Sequence, residues 1–333
     1  MNLNFKAKDF VHLHLHTDYS LLQSAIQLKP LAGRLKELEM KACAITDLGN
    51  LFGAVSFYNQ MKAADIHPIL GYEAHLTFGS RHDREARLEV GERPFYQLVL
   101  LAKDLEGFSN LTFLASKAYT EGLHHKPRID LELLAEKCGG LIALSAGGRG
   151  AVNHFLRQND HARALSNTVL LRDLFGAENF YIEIQSPHTA EESRVQIDLL
   201  AVAEKAGVPV VACSEAHYLT PEDAPAHEIL MCIGEGKTIN DGTRSQMNGA
   251  NFYVRTAAEM WELHGAALPE ALTNTLRIAE RCQVHFPKGD NLTLPNFPIP
   301  AARRRTSISS GSSRKASRGG RRRFGSRCAR RAN

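Results

Sequence analysis

Three histidines at alternate positions, His12, His14 and His16, lie at the end of an apolar run and are followed by Thr17 and Asp18. Alternate side chains of an extended strand share a face and lie roughly 6–7 Å apart, so this spacing sets the imidazoles in a row. Neighbouring imidazoles suit a divalent ion such as zinc or manganese. A lone histidine is more often a satisfied core or surface residue, whereas three in register point to a metal site. Cleaving a phosphate ester takes more, because carboxylates and further ligands must hold the attacking and leaving oxygens. The chain offers candidates where other apolar runs stop: Asp47, Glu73, and Glu215 with His217. Each alone reads equally well as a loop residue or a helix cap. At one end of one sheet they would form a single site.

The elements that must carry these residues alternate along the chain. Apolar runs of strand length occupy 11–16, 42–47, 67–73, 96–102, 141–145, 180–185 and 208–213. Segments of helical period separate them at 28–38, 53–64, 105–118, 162–174 and 190–206. The alternation predicts an α/β fold, either a parallel barrel or a doubly wound sheet. In both, ligand groups gather at the C-terminal edge of the strands. Polar stretches at 78–93 and 238–254 read as loops, and 257–264 and 269–282 as closing helices. The expected organisation is a barrel domain over 1–285, a proline-rich exit segment over 286–300, and a tail over 301–333.

The net charge of +4 averages two unlike polymers. The tail holds eleven Arg and one Lys and no acid. Subtracting those twelve from the chain's 40 basic residues leaves 28 against 36 acidic ones, so the body is mildly acidic at −8. The tail is too poor in apolar residues to fold alone. It reads either as a nucleic-acid-binding arm or as GC-rich DNA translated out of frame, and the abrupt change in composition favours the second. Six scattered cysteines without a CxxC pair argue against both a zinc ribbon and a disulfide scaffold. No apolar run reaches the roughly 20 residues of a bilayer span, and the first residues lack a signal peptide's apolar stretch, which predicts a cytoplasmic protein without a membrane partner.

Taken together, segments 10–20, 44–55, 68–74, 100–103, 126–130, 140–145, 181–185, 216–218, 223–228 and 291–300 resemble the PHP domain that opens the α subunit of bacterial DNA polymerase III. The resemblance runs in order through 1–300. It implies a distorted (β/α)7 barrel, TIM-like, with a short C-terminal helical extension. It also implies a site for two or three metals that serves 3′–5′ exonuclease or phosphoesterase chemistry. Carried over residue by residue, it makes His14, His16, Glu73, Glu215 and His217 the metal ligands. Glu215 stands where the family usually has Asp. Other family ligands are missing: Gln23 replaces Asp, Leu48 and Gln97 replace His, and Ser145-Ala146-Gly147-Gly148 contains neither Cys nor His. A leucine cannot ligate, and a glutamine amide is a poor substitute. The surviving set could hold one zinc or manganese, so the expected role is structural.

The resemblance further implies DNA replication as the context. Expected partners are a proofreading exonuclease subunit and, in the full-length protein, a sliding clamp and DNA. Nucleotide addition with magnesium belongs to a palm domain that follows in the family, so these 333 residues alone are not expected to polymerise DNA. The alternatives are a stand-alone metal-dependent phosphoesterase or 3′–5′ exonuclease, and a nucleic-acid-binding module built on the tail. His124 and His125 read as a solvated loop. Arg149 and Lys103 could meet a phosphate near the barrel mouth, although solvated helix faces suit them better.

Overall fold

In a computed structural model, residues 3–85, 88–187, 189–245 and 251–287 are described. The exit segment beyond 287 and the tail lie outside them. Met1–His285 forms one compact unit. Its first elements are α1 (Leu28–Glu37), β1 (Ala42–Ile45), α2 (Ala54–Ala63), β2 (His67–Thr77), β3 (Tyr96–Ala102) and α3 (Leu105–Thr120). A tight hairpin of β4 (Leu123–His124) and β5 (Lys126–Asp130) follows, then α4 (Leu131–Lys137), β6 (Leu141–Leu144), α5 (Ala151–Arg157) and α6 (His161–Phe175). The last elements are β7 (Phe180–Ile184), α7 (Ala190–Ala206), β8 (Val210–Ala212), α8 (Ala224–Glu235), α9 (Ala257–His264) and α10 (Pro269–Arg281).

Short polar residues in the turns before the helices start them. Asp104, Asp130, Asp160 and Thr189 each accept a hydrogen bond from the backbone N–H three residues on, at the N-termini of α3, α4, α6 and α7. At the far end of α7, Gly207 takes a left-handed conformation that ends the helix without a Cβ penalty.

The sheet runs β4-β5-β2-β3-β6-β7-β8, with β1 beside β2. Most neighbours are parallel, as the alternation predicted, but β3 is antiparallel to both β2 and β6. The cause is local. Among the described residues no crossover helix lies between β2 and β3, and the two strands pair as in a hairpin.

Residues 11–16 do not form the regular strand expected of them. They make two isolated parallel bridges, His12 to Cys43 and Leu15 to Ala216. The Leu15 N–H donates to the Thr46 hydroxyl at 2.8 Å, which interrupts the backbone ladder. Those two bridges nonetheless join β1 to the segment after β8, so the sheet curls round on itself.

Alternation along β2 and β7 sets Ile69, Gly71 and Glu73 on one face, and likewise Tyr181 and Glu183. Val99, Leu101, Ile142, Leu144, Val211 and Cys213 pack with Ile69 and Tyr181 in one buried cluster, which Leu276, Ile278 and Ala279 of α10 join. Acidic residues therefore continue the apolar layers toward the strands' C-terminal ends. Gly71 is required where β2 meets β3, because a Cβ there would lie 2.3 Å from the Leu100 carbonyl oxygen. Gly71→Ala should destabilise the fold by about 3 kcal/mol through forced strand separation. Urea unfolding checks this, and a cost below about 1 kcal/mol would show that the two strands can part cheaply.

Candidate metal centre

His14, His16 and Glu73 come together in one fully buried group, and His16, Glu215 and His217 in a second that shares His16. The His14 and His16 Nε2 atoms are 3.1 Å apart. Glu73 places Oε1 3.5 Å from the first and Oε2 3.6 Å from the second. A tetrahedral ion with bonds of about 2.0–2.1 Å spaces its donors about 3.3 Å apart, close to the His14–His16 separation and to each imidazole's distance from its nearer Glu73 oxygen. On the other side, the His217 Nε2 lies 3.5 Å from Glu215 Oε1, and the His16 and His217 rings stack at 4.4 Å.

The surroundings fix which ring nitrogen faces inward. The His14 Nδ1–H donates to Glu183 Oε1 at 2.9 Å, and the His217 Nδ1–H to the Gln23 carbonyl at 2.7 Å. Ser20 gives its own proton to Asp47, so its oxygen accepts from His16 Nδ1 at 3.2 Å. With the three imidazoles neutral, as metal binding requires, their Nε2 lone pairs point into the cluster, the arrangement that outer partners impose on metal-binding imidazoles. His217 Nε2 and both Glu73 oxygens are buried without a hydrogen-bond partner. Buried polar atoms in that state are costly unless a cation meets them. The donor set therefore fits a divalent ion.

The same contacts set the charges. Burial opposes protonation of His14, but the Glu183 and Glu73 carboxylates outweigh it and raise its pKa well above the usual imidazole value. His16 goes the other way, lowered by burial and by its neighbours His217, His14 and Arg149. Burial pushes the Glu215 carboxyl up, yet the adjacent His217 ring and the Arg149 and His14 charges hold it well below the ordinary range.

Other sequence candidates fall elsewhere. His12 does not share a face with His14 and His16. Its Nδ1 pairs with the Ser214 hydroxyl and its Nε2 with the Arg255 carbonyl, each at 2.9 Å, because the bend at 14 breaks the alternation. Burial lowers its pKa to about 4. Asp47 supplies no donor to the cluster, since its two oxygens accept from Thr17 N, Thr17 Oγ1 and Ser20 Oγ at 2.6–2.8 Å. Lys103 follows the C-terminal end of β3, whose reversed direction carries it away to Asn179. Arg149 is on a 3-10 turn rather than a helix face, with Nε 3.7 Å from Glu215 Oε1.

Of the replaced positions, Gln23 offers only its carbonyl, which also accepts from His227 Nε2. Leu48 bridges to Glu73 through backbone, and Gln97 is buried opposite His75.

Two contributors went unrecognised in the sequence. Glu183 orients His14, and the Gln185 amide donates to both Glu183 and Glu215, at 2.9 and 2.7 Å. The signal was present, since both acidic and amide side chains close the apolar run of β7 two residues apart.

Among curated proteins, DNA polymerase III subunit alpha of Treponema pallidum is 40% identical over 87% of this chain and 24% of its own length. The Thermus aquaticus subunit is 42% identical over 88% and 24%, and that of Deinococcus radiodurans 41% over 89% and 23%. The chain thus spans about a quarter of the length of these relatives. The PHP domain family matches residues 12–187, which takes in His14, His16, Glu73 and Glu183 and more than half of the sequence, so the chain belongs to the PHP domain family.

Proposed function

We propose that this chain is the N-terminal PHP region of a DNA polymerase III alpha subunit and serves DNA replication as a folded scaffold. The observation that carries the reading is about 40% identity to such subunits sustained over nearly nine-tenths of the chain. In this reading His14, His16, Glu73, Glu215 and His217 hold one divalent ion, zinc or manganese. Bound there, such an ion supplies Lewis acidity and ties the ends of β2 and β8 to the 11–16 segment. Glu183, Ser20 and the Gln23 carbonyl orient the three imidazoles, and Arg149 sets a positive charge beside Glu215.

The scaffold role is preferred over hydrolysis because of the surroundings of the five donors. Leu48 and Gln97 cannot complete a multi-metal set, and Gln185 spends its amide on two of the acids. The partners expected in this role are a proofreading exonuclease subunit and, through the rest of a full-length subunit, a sliding clamp and DNA. The setting is the cytoplasm. No helix among the described residues is long and apolar enough to cross a membrane.

Two assays test the reading together. The chain mixed with its own cell's proofreading exonuclease should co-elute as a complex in size-exclusion chromatography. It should release no p-nitrophenol from p-nitrophenyl phosphate with manganese. Manganese-dependent turnover that disappears in Glu73→Gln, without complex formation, would replace the scaffold with a stand-alone phosphoesterase.

A further inference from the structure

A cavity of about 430 Å³ opens between the end of β2, the 78–95 loop and the β4–β5 hairpin, and none of the five metal-centre candidates lines it. Its floor is Arg128, 4% exposed. The Arg128 Nε donates to the Gly122 carbonyl, and Nη2 to those of Arg81 and Asp83 at 3.1 and 2.9 Å. Three neutral carbonyls hold the guanidinium in place and leave its charge without a carboxylate at ion-pair distance among the described residues. A buried charge in that state is normally met by a counter-charge. Arg84 and Arg93 line the same space and form no ion pair among the described residues either.

Two further features point into this space. His125 is the single residue at the hairpin turn and has a left-handed φ of 60°. Its ring lies 4.3 Å from that of His124, and both line the cavity. Burial lowers the His124 pKa, and the nearby His125, Arg128 and Arg84 charges lower it further. Of the acids in the wall, Asp83 and Glu92 accept backbone N–H groups of their own turns, and Glu89 is the third. The remaining lining is aromatic: Phe78 packs on Tyr96, and Phe95 is edge-on to His75.

We propose that this cavity binds a nucleotide, with Arg128, Arg93 and Arg84 taking the phosphate and Phe95 the planar base. Arginine forks match phosphate oxygens, and aromatic faces stack on any base. The site is separate from the metal centre, so binding should persist in a chelator.

The test is calorimetric titration of the whole chain, in EDTA, with dAMP and with pyrophosphate. Saturable dAMP binding is expected, weakened at least tenfold by Arg93→Glu, an exposed position whose replacement leaves the sheet intact. Phe95→Ala should weaken dAMP binding while pyrophosphate binding stays within twofold. Absence of saturable binding at millimolar ligand overturns the proposal, as does dAMP affinity unchanged in both Arg93→Glu and Arg84→Glu. Equal affinity for both ligands, unchanged in Phe95→Ala, overturns the nucleotide assignment.

Discussion

Replacing His16 by alanine should strip the chain of its divalent ion, because His16 is the one residue common to both buried donor groups. The wild-type chain purified from zinc- or manganese-supplemented cells should carry metal near one equivalent, and His16→Ala close to none, by plasma mass spectrometry. The same ion should appear as stability. An ion at about 1,000 times its Kd stabilises the folded state by about 4 kcal/mol, so EDTA should lower the wild-type Tm by several degrees. His16→Ala should melt at one temperature with or without chelator. Asp47→Asn makes a finer probe, because Asp47 touches no donor atom and acts only through Ser20 on the His16 ring. Loss of such an outer partner typically weakens metal affinity 10–100-fold while leaving the stoichiometry intact. Equal metal content and equal EDTA shifts in wild type and His16→Ala would remove the metal centre from the account. The unpartnered Glu73 oxygens would then be a plain cost to the fold.

How much of this could be read in the sequence depends on whether a feature is set locally. The 11–16 run has the alternation of a strand and reads as one. A hydroxyl from Thr46 takes the place of a ladder partner there, and only the tertiary fold puts that hydroxyl within reach. The same event separates His12 from His14 and His16, so a spacing argument that was correct for two histidines failed for the third. The direction of β3 was hidden for a similar reason. A polar 78–93 stretch announces a loop but does not say whether the chain crosses over or turns back. Asp47 shows the limit for single residues. An acid after an apolar run fits a ligand and a cap equally, and three hydrogen-bond donors decide for the second. Where placement depends on residue type and chain direction alone, as for Glu73 on the inward-facing β2 row, the sequence suffices to put the residue in the buried cluster.

Asp130→Ala should be the most destabilising substitution outside the metal centre. The side chain is 4% exposed and does two jobs at the junction of β5 and α4. Its Oδ1 accepts the Leu133 N–H and so caps α4, while both oxygens face the Arg81 guanidinium at 2.9–3.0 Å and Oδ2 also takes the Arg81 backbone N–H. Alanine leaves a mostly buried Arg81 with Glu121 as its main remaining partner. Breaking one side of such a pair costs about 3–5 kcal/mol, of which the cap accounts for about 1 kcal/mol. Asp130→Asn keeps an oxygen for the cap but removes the charge facing Arg81, so it should cost only about 1 kcal/mol less than alanine. Urea midpoints for the two variants at constant slope separate the contributions. The pair also anchors the loop whose Arg81 and Asp83 carbonyls hold Arg128, so the alanine variant should loosen the cavity and weaken dAMP binding without touching Arg84 or Arg93. A loss below about 1 kcal/mol in both variants would mean that Arg81 finds its counter-charge in Glu121 alone, and identical midpoints would mean that the cap contributes nothing to the β5–α4 junction.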